Sequence, residues 1–182
     1  MRFRIPLIAI IFTLLLGGGS ALAADPENTL YMDLKDGRVV IEMRPELAPK
    51  HVARIKELVR EGFYDGLVFH RVIDGFMAQT GDPKGNGTGG SGTKIPAEFS
   101  NKPFVRGTVG MARSQSPDSG DSQFFIMFAP ASNLQGQYTV WGRVIDGMEY
   151  VDMIKKGDRY DNGAVSDPDK IVSMKIAADV QG

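Results

Sequence analysis

Leu30-Tyr31-Met32-Asp33-Leu34-Lys35-Asp36-Gly37-Arg38-Val39-Val40-Ile41-Glu42-Met43 is the stretch on which the reading of the fold turns. Leu30, Met32 and Leu34 share one face of an extended chain, as do Val39, Ile41 and Met43, and a period of two means β-strands. Between the two runs, Asp36-Gly37 readily supplies the positive φ angles of a tight turn. The sequence predicts an opening antiparallel hairpin with one apolar face.

Beyond the hairpin the period changes. Pro49 suits a first helical position, Val52, Ile55, Leu58 and Val59 recur at helical spacing, and Gly62 offers a C-terminal cap, predicting a helix over 49–60. Met148, Val151 and Ile154, followed by Lys155, Lys156 and Gly157, predict a second over 148–156. The remainder is short apolar segments cut by Gly, Pro, Asn and Asp: 68–73, 76–79, 108–112, 124–128, 138–144 and 171–177. Many short strands with only two helices point to a mainly β fold, a closed barrel or sandwich plugged by helices. No linker divides the chain and no internal repeat is found.

Composition narrows the chemistry. The chain has 182 residues, 22 of them Gly, a fraction well above the usual ~7%, which agrees with a turn-rich architecture. With no Cys there is no disulfide, thiolate metal site or cysteine nucleophile. The two histidines, His51 and His70, are too far apart in sequence to form a local ligand pair, which argues against catalytic zinc. A net charge of -1 removes the electrostatic basis for nucleic-acid binding.

Residues 1–23 read as targeting. Arg2 and Arg4 precede an apolar run from Ile5 to Leu16, and Ala21-Leu22-Ala23 has the small-residue pattern of a signal-peptide cleavage site. The run is short of the ~20 residues needed to span a bilayer. The expected domains are therefore a signal peptide, 1–23, and one folded domain, 24–182, in a periplasmic or secreted protein without a membrane anchor.

Three segments invite functional readings. Gly85, Gly87 and Gly90 satisfy G-x-G-x-x-G, but no helix start follows them and no Gly-Lys-Ser/Thr closes the run, so a tightly turning or mobile surface loop accounts for it better than nucleotide binding. Ser114, Ser116, Ser119 and Ser122, with Asp118 and Asp121, lack a G-x-S-x-G elbow and read as a polar loop between strands. In an extended strand Phe69, Arg71 and Ile73 share a face, which sets a guanidinium among apolar neighbours. Taken alone, Arg71 reads as a surface ion pair, since arginines are mostly exposed.

Taken together, FHRVIDGFMAQTGD at 69–82, GMARSQSPDSGDSQFFI at 110–126 and NLQGQYTVWGRVIDGM at 133–148 resemble the cyclophilins, in particular their exported bacterial branch. The likeness covers almost all of 28–178. It implies a closed eight-stranded antiparallel β-barrel capped by two α-helices, and a peptidyl-prolyl cis-trans isomerase, or rotamase, with no metal and no other cofactor. It places the catalytic arginine at Arg71 and the proline-ring pocket at Phe76, Met77, Phe125 and Leu134. Gln79, Gln123, Tyr138 and the backbone edge Ala112, Arg113 and Ser114 would hold the flanking peptide. The partners implied are proline-containing peptides and unfolded or folding exported proteins, met by a monomer. Tyr138 stands where a histidine is usual and looks like the bacterial variant. Asn133 stands where a tryptophan is usual, which implies weak binding of cyclosporin A.

These residue types suit that reaction. Twisting an X-Pro amide breaks no bond to carbon, so the catalyst needs only to bind the twisted form better than the planar ones. In that form the prolyl nitrogen regains its lone pair and accepts a hydrogen bond, which a permanently charged guanidinium can donate. A peptide-binding holdase using the same groove is the rival reading, but holding a proline ring would not demand an arginine aimed at its nitrogen.

Overall fold

The structure, a computed structural model, describes residues 25–180; the leader expected at 1–23 lies outside the described residues. In chain order the elements are β1 (Thr29–Asp33), β2 (Arg38–Met43), α1 (Pro49–Arg60), β3 (Arg71–Ile73), β4 (Met77–Thr80), β5 (Thr108–Met111), β6 (Phe124–Met127), β7 (Val140–Asp146), α2 (Met148–Asp152) and β8 (Ser173–Ile176). All eight strands pair antiparallel in one sheet, ordered β3-β4-β6-β5-β7-β2-β1-β8.

The expected closure is looser than a continuous barrel. β3 and β8, the two edges, share no ladder. The segments just ahead of them meet instead, through the isolated bridge Val68↔Lys170 and the bonds Phe69 N–H to Asp169 O and Ile171 N–H to Leu67 O. The sheet curls until its edges are stitched at one end, which satisfies only part of each edge's backbone groups.

The opening hairpin forms as read, with Asp33 opposite Arg38. Its turn is not the expected left-handed one. Gly37 lies at φ 159°, near the extended limit, and is required for space, because a Cβ there would sit 2.4 Å from the Tyr150 ring.

Helix α1 matches its predicted span and turns Val52, Ile55, Leu58 and Val59 into the main core beside β8. Twelve residues are marginal as an isolated helix, so this burial, roughly 1.5–3 kcal/mol per side chain, holds it. Ala48 provides no side-chain cap; Glu98, nearly fifty residues away, accepts from Lys50 N–H (3.1 Å) and His51 N–H (3.0 Å) instead. Helix α2 stops at Asp152, short of the expected Lys156. Lys155 N–H leaves the helical path to donate to the Asp169 carboxylate, and the Lys156 ammonium bonds the Asp152 and Ile154 carbonyls.

Strand alternation splits the side chains into two clusters. Val72, Ala78, Val109, Met111, Phe124, Ile126 and Trp141 fill the interior. Met77, Phe125, Met127 and Val140, with Phe104, Ala131 and Leu134, form a smaller cluster on the outer face. Phe69 falls in the interior with Val72, so the predicted face shared with Arg71 fails there. The strand alternation begins only at Arg71, where β3 starts.

Candidate active site

The outer cluster lies beneath a single cross-strand row. Arg71 on β3 is opposite Gln79 on β4, Gln79 is opposite Phe125 on β6, and Phe125 is opposite Gly110 on β5. The row depends on register, because a one-residue slip would turn these side chains to the other face. Gly110 lets the Phe125 ring lie across β5. A Cβ at that position would come within 2.5 Å of Phe125 Cζ and 2.8 Å of Phe104 Cε1. Phe125 stacks on Phe104 with centroids 5.8 Å apart and meets the Tyr138 ring edge-on at 5.7 Å.

Arg71, Phe76, Met77, Gln79, Ala112, Arg113, Phe125, Leu134 and Tyr138 line one cavity of about 150 Å³. That is the size of an apolar cavity known to admit a benzene-sized ring. Ser114 and Gln123 sit next door, in a cavity of about 380 Å³ that also contains Gln79, Ala112 and Arg113. A third cavity, about 590 Å³, continues past Arg71 and again includes Gln79 and Arg113. The three share walls and form one groove. All eleven residues expected at the site line it.

Arg71 is anchored from behind. Its Nε donates to Asn162 O (3.0 Å), its Nη2 to Asn162 Oδ1 (2.9 Å) and its Nη1 to Gln79 Oε1 (3.1 Å). A guanidinium has five N–H groups, so two remain. All three acceptors are neutral, and among the described residues no carboxylate pairs with Arg71, so the surface ion-pair reading fails. Burial lowers its pKa from the ordinary guanidinium value, opposed by the nearby Tyr138 phenol.

Arg113 forms the opposite rim. Its guanidinium lies 4.6 Å above the Tyr138 ring while Nε donates to Gln137 O and Nη1 to the Ser114 and Gln115 carbonyls. These contacts hold it across the groove wall as a cation on an aromatic face. Leu134 reaches the cavity from the short 3-10 turn Ser132–Leu134, on which Asn133 is exposed.

Asn162 was not foreseen. It takes φ 48°, a left-handed conformation that Asn tolerates better than most residues, and this brings both its backbone and side-chain oxygens to Arg71. The only trace in the sequence is the turn dipeptide Asn162-Gly163. The two histidines stay outside the groove's hydrogen bonding. His51 Nδ1 lies 2.7 Å from Glu98, and burial lowers the pKa of both rings, which favours their neutral forms.

A curled antiparallel sheet carrying an apolar ring-sized pocket beside an anchored, unneutralised guanidinium defines a peptide-binding groove of the cyclophilin class. The sequence profile described as "Cyclophilin type peptidyl-prolyl cis-trans isomerase/CLD" matches residues 29–176, and the chain belongs to that family. It is 62% identical over 174 residues to a probable peptidyl-prolyl cis-trans isomerase of Brucella suis, covering 89% of each chain. With peptidyl-prolyl cis-trans isomerase B of Bacillus subtilis it shares 45% identity over 134 residues, covering 72% of this chain and 93% of that one. Among solved structures, a cyclophilin of Hirschia baltica superposes with a TM-score of 0.77 at 29% identity, covering 86% of this chain and 76% of that one. A cyclophilin-type isomerase of Cryptosporidium parvum, crystallised in the presence of the dipeptide Ala-Pro, gives 0.75 at 29% identity, covering 81% and 98%. The protein is a peptidyl-prolyl cis-trans isomerase.

Proposed function

We propose that the protein accelerates X-Pro isomerisation in proteins folding after export, by non-covalent stabilisation of the twisted amide. The observation that carries this is Arg71: three of its N–H groups are tied to neutral acceptors and two remain, at the mouth of the 150 Å³ cavity. The pyrrolidine ring enters the pocket of Phe76, Met77, Phe125 and Leu134. Gln79, Gln123 and the backbone from Ala112 to Ser114 hold the flanking chain, so one half of the peptide rotates against the other. The free guanidinium N–H groups meet the prolyl nitrogen as it turns pyramidal.

Rotation about an X-Pro bond faces an activation energy of ~20 kcal/mol. A millionfold acceleration needs ~8 kcal/mol of selective transition-state binding. One charge-assisted hydrogen bond supplies ~1.5–3 kcal/mol, so ring confinement and exclusion of water contribute the larger share. Purified residues 24–182 should catalyse exchange of a short X-Pro peptide by NMR or a protease-coupled assay. Absence of catalysis would sink the mechanism.

Export rests on the charged start, short apolar run and Ala21-Leu22-Ala23 site. N-terminal sequencing of native protein should find the chain starting near Ala24. Intact 1–23 on membrane-extracted protein would contradict export by cleavage.

A further inference from the structure

The glycine-rich run at 82–92 is not a loose loop. Asp82, only 1% exposed, accepts N–H groups of Lys84 (2.8 Å), Asn86 (3.0 Å) and Gly87 (2.6 Å). The backbone wraps this carboxylate so closely that a Cβ on Gly89 would lie 2.1 Å from Asp82 Oδ1. Asp121 clamps the far end, accepting from Ser91 N–H and Oγ–H (both 2.6 Å), Gly92 N–H (3.2 Å) and Lys94 Nζ (3.2 Å). Bonds from N–H groups to an ionised carboxylate are the strong kind.

The loop faces the groove through two carbonyls. Gln123 Nε2 donates to Gly87 O (3.1 Å) and Gly89 O (2.8 Å), which occupies both of its hydrogens. Gln123 Oε1 is thereby turned to accept from Gln79 Nε2 (2.9 Å), and Gln79 Oε1 is turned to accept from Arg71 Nη1 (3.1 Å). An amide can present either end, and the neighbours decide which. Here the loop carbonyls set the direction of both glutamines. Reversing either amide would face donor against donor, at worst an NH2 group against the guanidinium.

We propose that Asp82 is a positioning residue for isomerisation: by holding the Gly87 and Gly89 carbonyls it orients the Gln123 and Gln79 amides and so keeps Arg71 aimed into the ring pocket. The inference rests on the reading of Arg71 as the catalytic group. Asp82 itself touches no substrate and acts on Arg71 through two loop carbonyls and the side chains of Gln123 and Gln79.

The test is a double-mutant cycle on the full chain, read by kcat and KM on an Ala-Pro-containing peptide and by melting temperature. Asp82→Asn keeps the shape but replaces an acceptor oxygen by NH2. It should lower kcat by roughly tenfold or more, since a misplacement of about 1 Å at a catalytic group can cost about 100-fold, and it should raise KM by a smaller factor, because Gln79 and Gln123 also hold the flanking peptide. In a Gln123→Leu background, where the relay is already cut, Asp82→Asn should lower melting temperature as before yet lower kcat no further. Side-chain amide resonances of 15N-labelled Gln79 and Gln123 should move in Asp82→Asn. If that variant does not fold, Gly89→Ala disturbs the same contact from the loop side and should reproduce the kcat loss. Active wild type with an undiminished kcat in either folded variant overturns the proposal, as does a kcat loss of equal size in both backgrounds. Inactive wild type would instead overturn the isomerase reading, and this inference with it.

Discussion

Arg71→Ala separates the chemistry of this site from its architecture. The residue is half-buried, and truncation leaves Gln79 Oε1, Asn162 O and Asn162 Oδ1 without their donor. Asn162 is exposed and Gln79 partly so, which lets water replace the lost bonds. Fold stability should therefore change by no more than ~1 kcal/mol, or ~2–4 °C in melting temperature for a domain of this size. Loss of one charge-assisted hydrogen bond made only in the twisted state, ~1.5–3 kcal/mol, corresponds to a fall of roughly 10- to 150-fold in kcat/KM. The fall is larger if both remaining N–H groups reach the prolyl nitrogen. Because the bond belongs to the transition state, kcat should carry the loss and KM should stay close to wild type. Arg71→Lys should recover only part, since an ammonium cannot reach Asn162, Gln79 and the peptide with one planar fork. A protease-coupled assay or NMR exchange on an X-Pro peptide, alongside thermal unfolding, measures all of this. A folded Arg71→Ala protein with wild-type kcat/KM would refute the role given to the guanidinium.

Phe125→Ala should raise KM and also cost ~3–5 kcal/mol of stability, because the ring is a pocket wall and is packed between Phe104 and Tyr138; denaturant unfolding and kinetics give the two effects separately. Cyclosporin A should bind weakly, and Asn133→Trp, restoring an indole N–H donor and apolar area at the exposed turn beside Leu134, should tighten it by roughly ten- to several hundred-fold while changing peptide turnover little. Calorimetric titration of both proteins decides this, and tight binding by the unmodified chain would contradict it. Acid should destabilise the fold in two stages. His51 and His70 have pKa values lowered by burial, so the stability they contribute is complete above the ordinary ~6.5 and is lost as pH falls through their depressed values. For Glu98, Asp82 and Asp121 burial acts upward but is outweighed, by His51 and two backbone N–H groups at Glu98, by loop N–H groups at Asp82, and by Ser91 and Lys94 at Asp121. Their net depression places the second loss below the ordinary carboxylate range of ~4. Melting temperature against pH should thus fall on acidification from neutrality, and a rise would contradict the assignment.

What the sequence determined by itself is what short-range periodicity can encode. The alternation from Leu30 to Met43 specifies a hairpin, and Pro49 with the spacing of Val52, Ile55, Leu58 and Val59 specifies α1, because strand faces and helix stripes repeat every two to four residues. The identities of Arg71, Phe76, Gln79 and Phe125 were also legible, through a family resemblance that preserves them as motifs. Other features needed distant segments brought together. The row Arg71–Gln79–Phe125–Gly110 exists only through the register of four strands, and the stitching of Val68 to Lys170 replaces the full closure expected. Glu98 caps α1 from a remote loop, and Lys155 leaves the helical path for Asp169, ending α2 early. Asn162 grips Arg71, and Asp82 and Asp121 gather a glycine run that reads in isolation as either a tightly turning or a mobile loop, and so decide for the tight turn. The physical reason is common to all of these. A hydrogen bond needs its partners within about 3 Å, and when they lie tens of residues apart along the chain, only the folded sheet decides which ones meet.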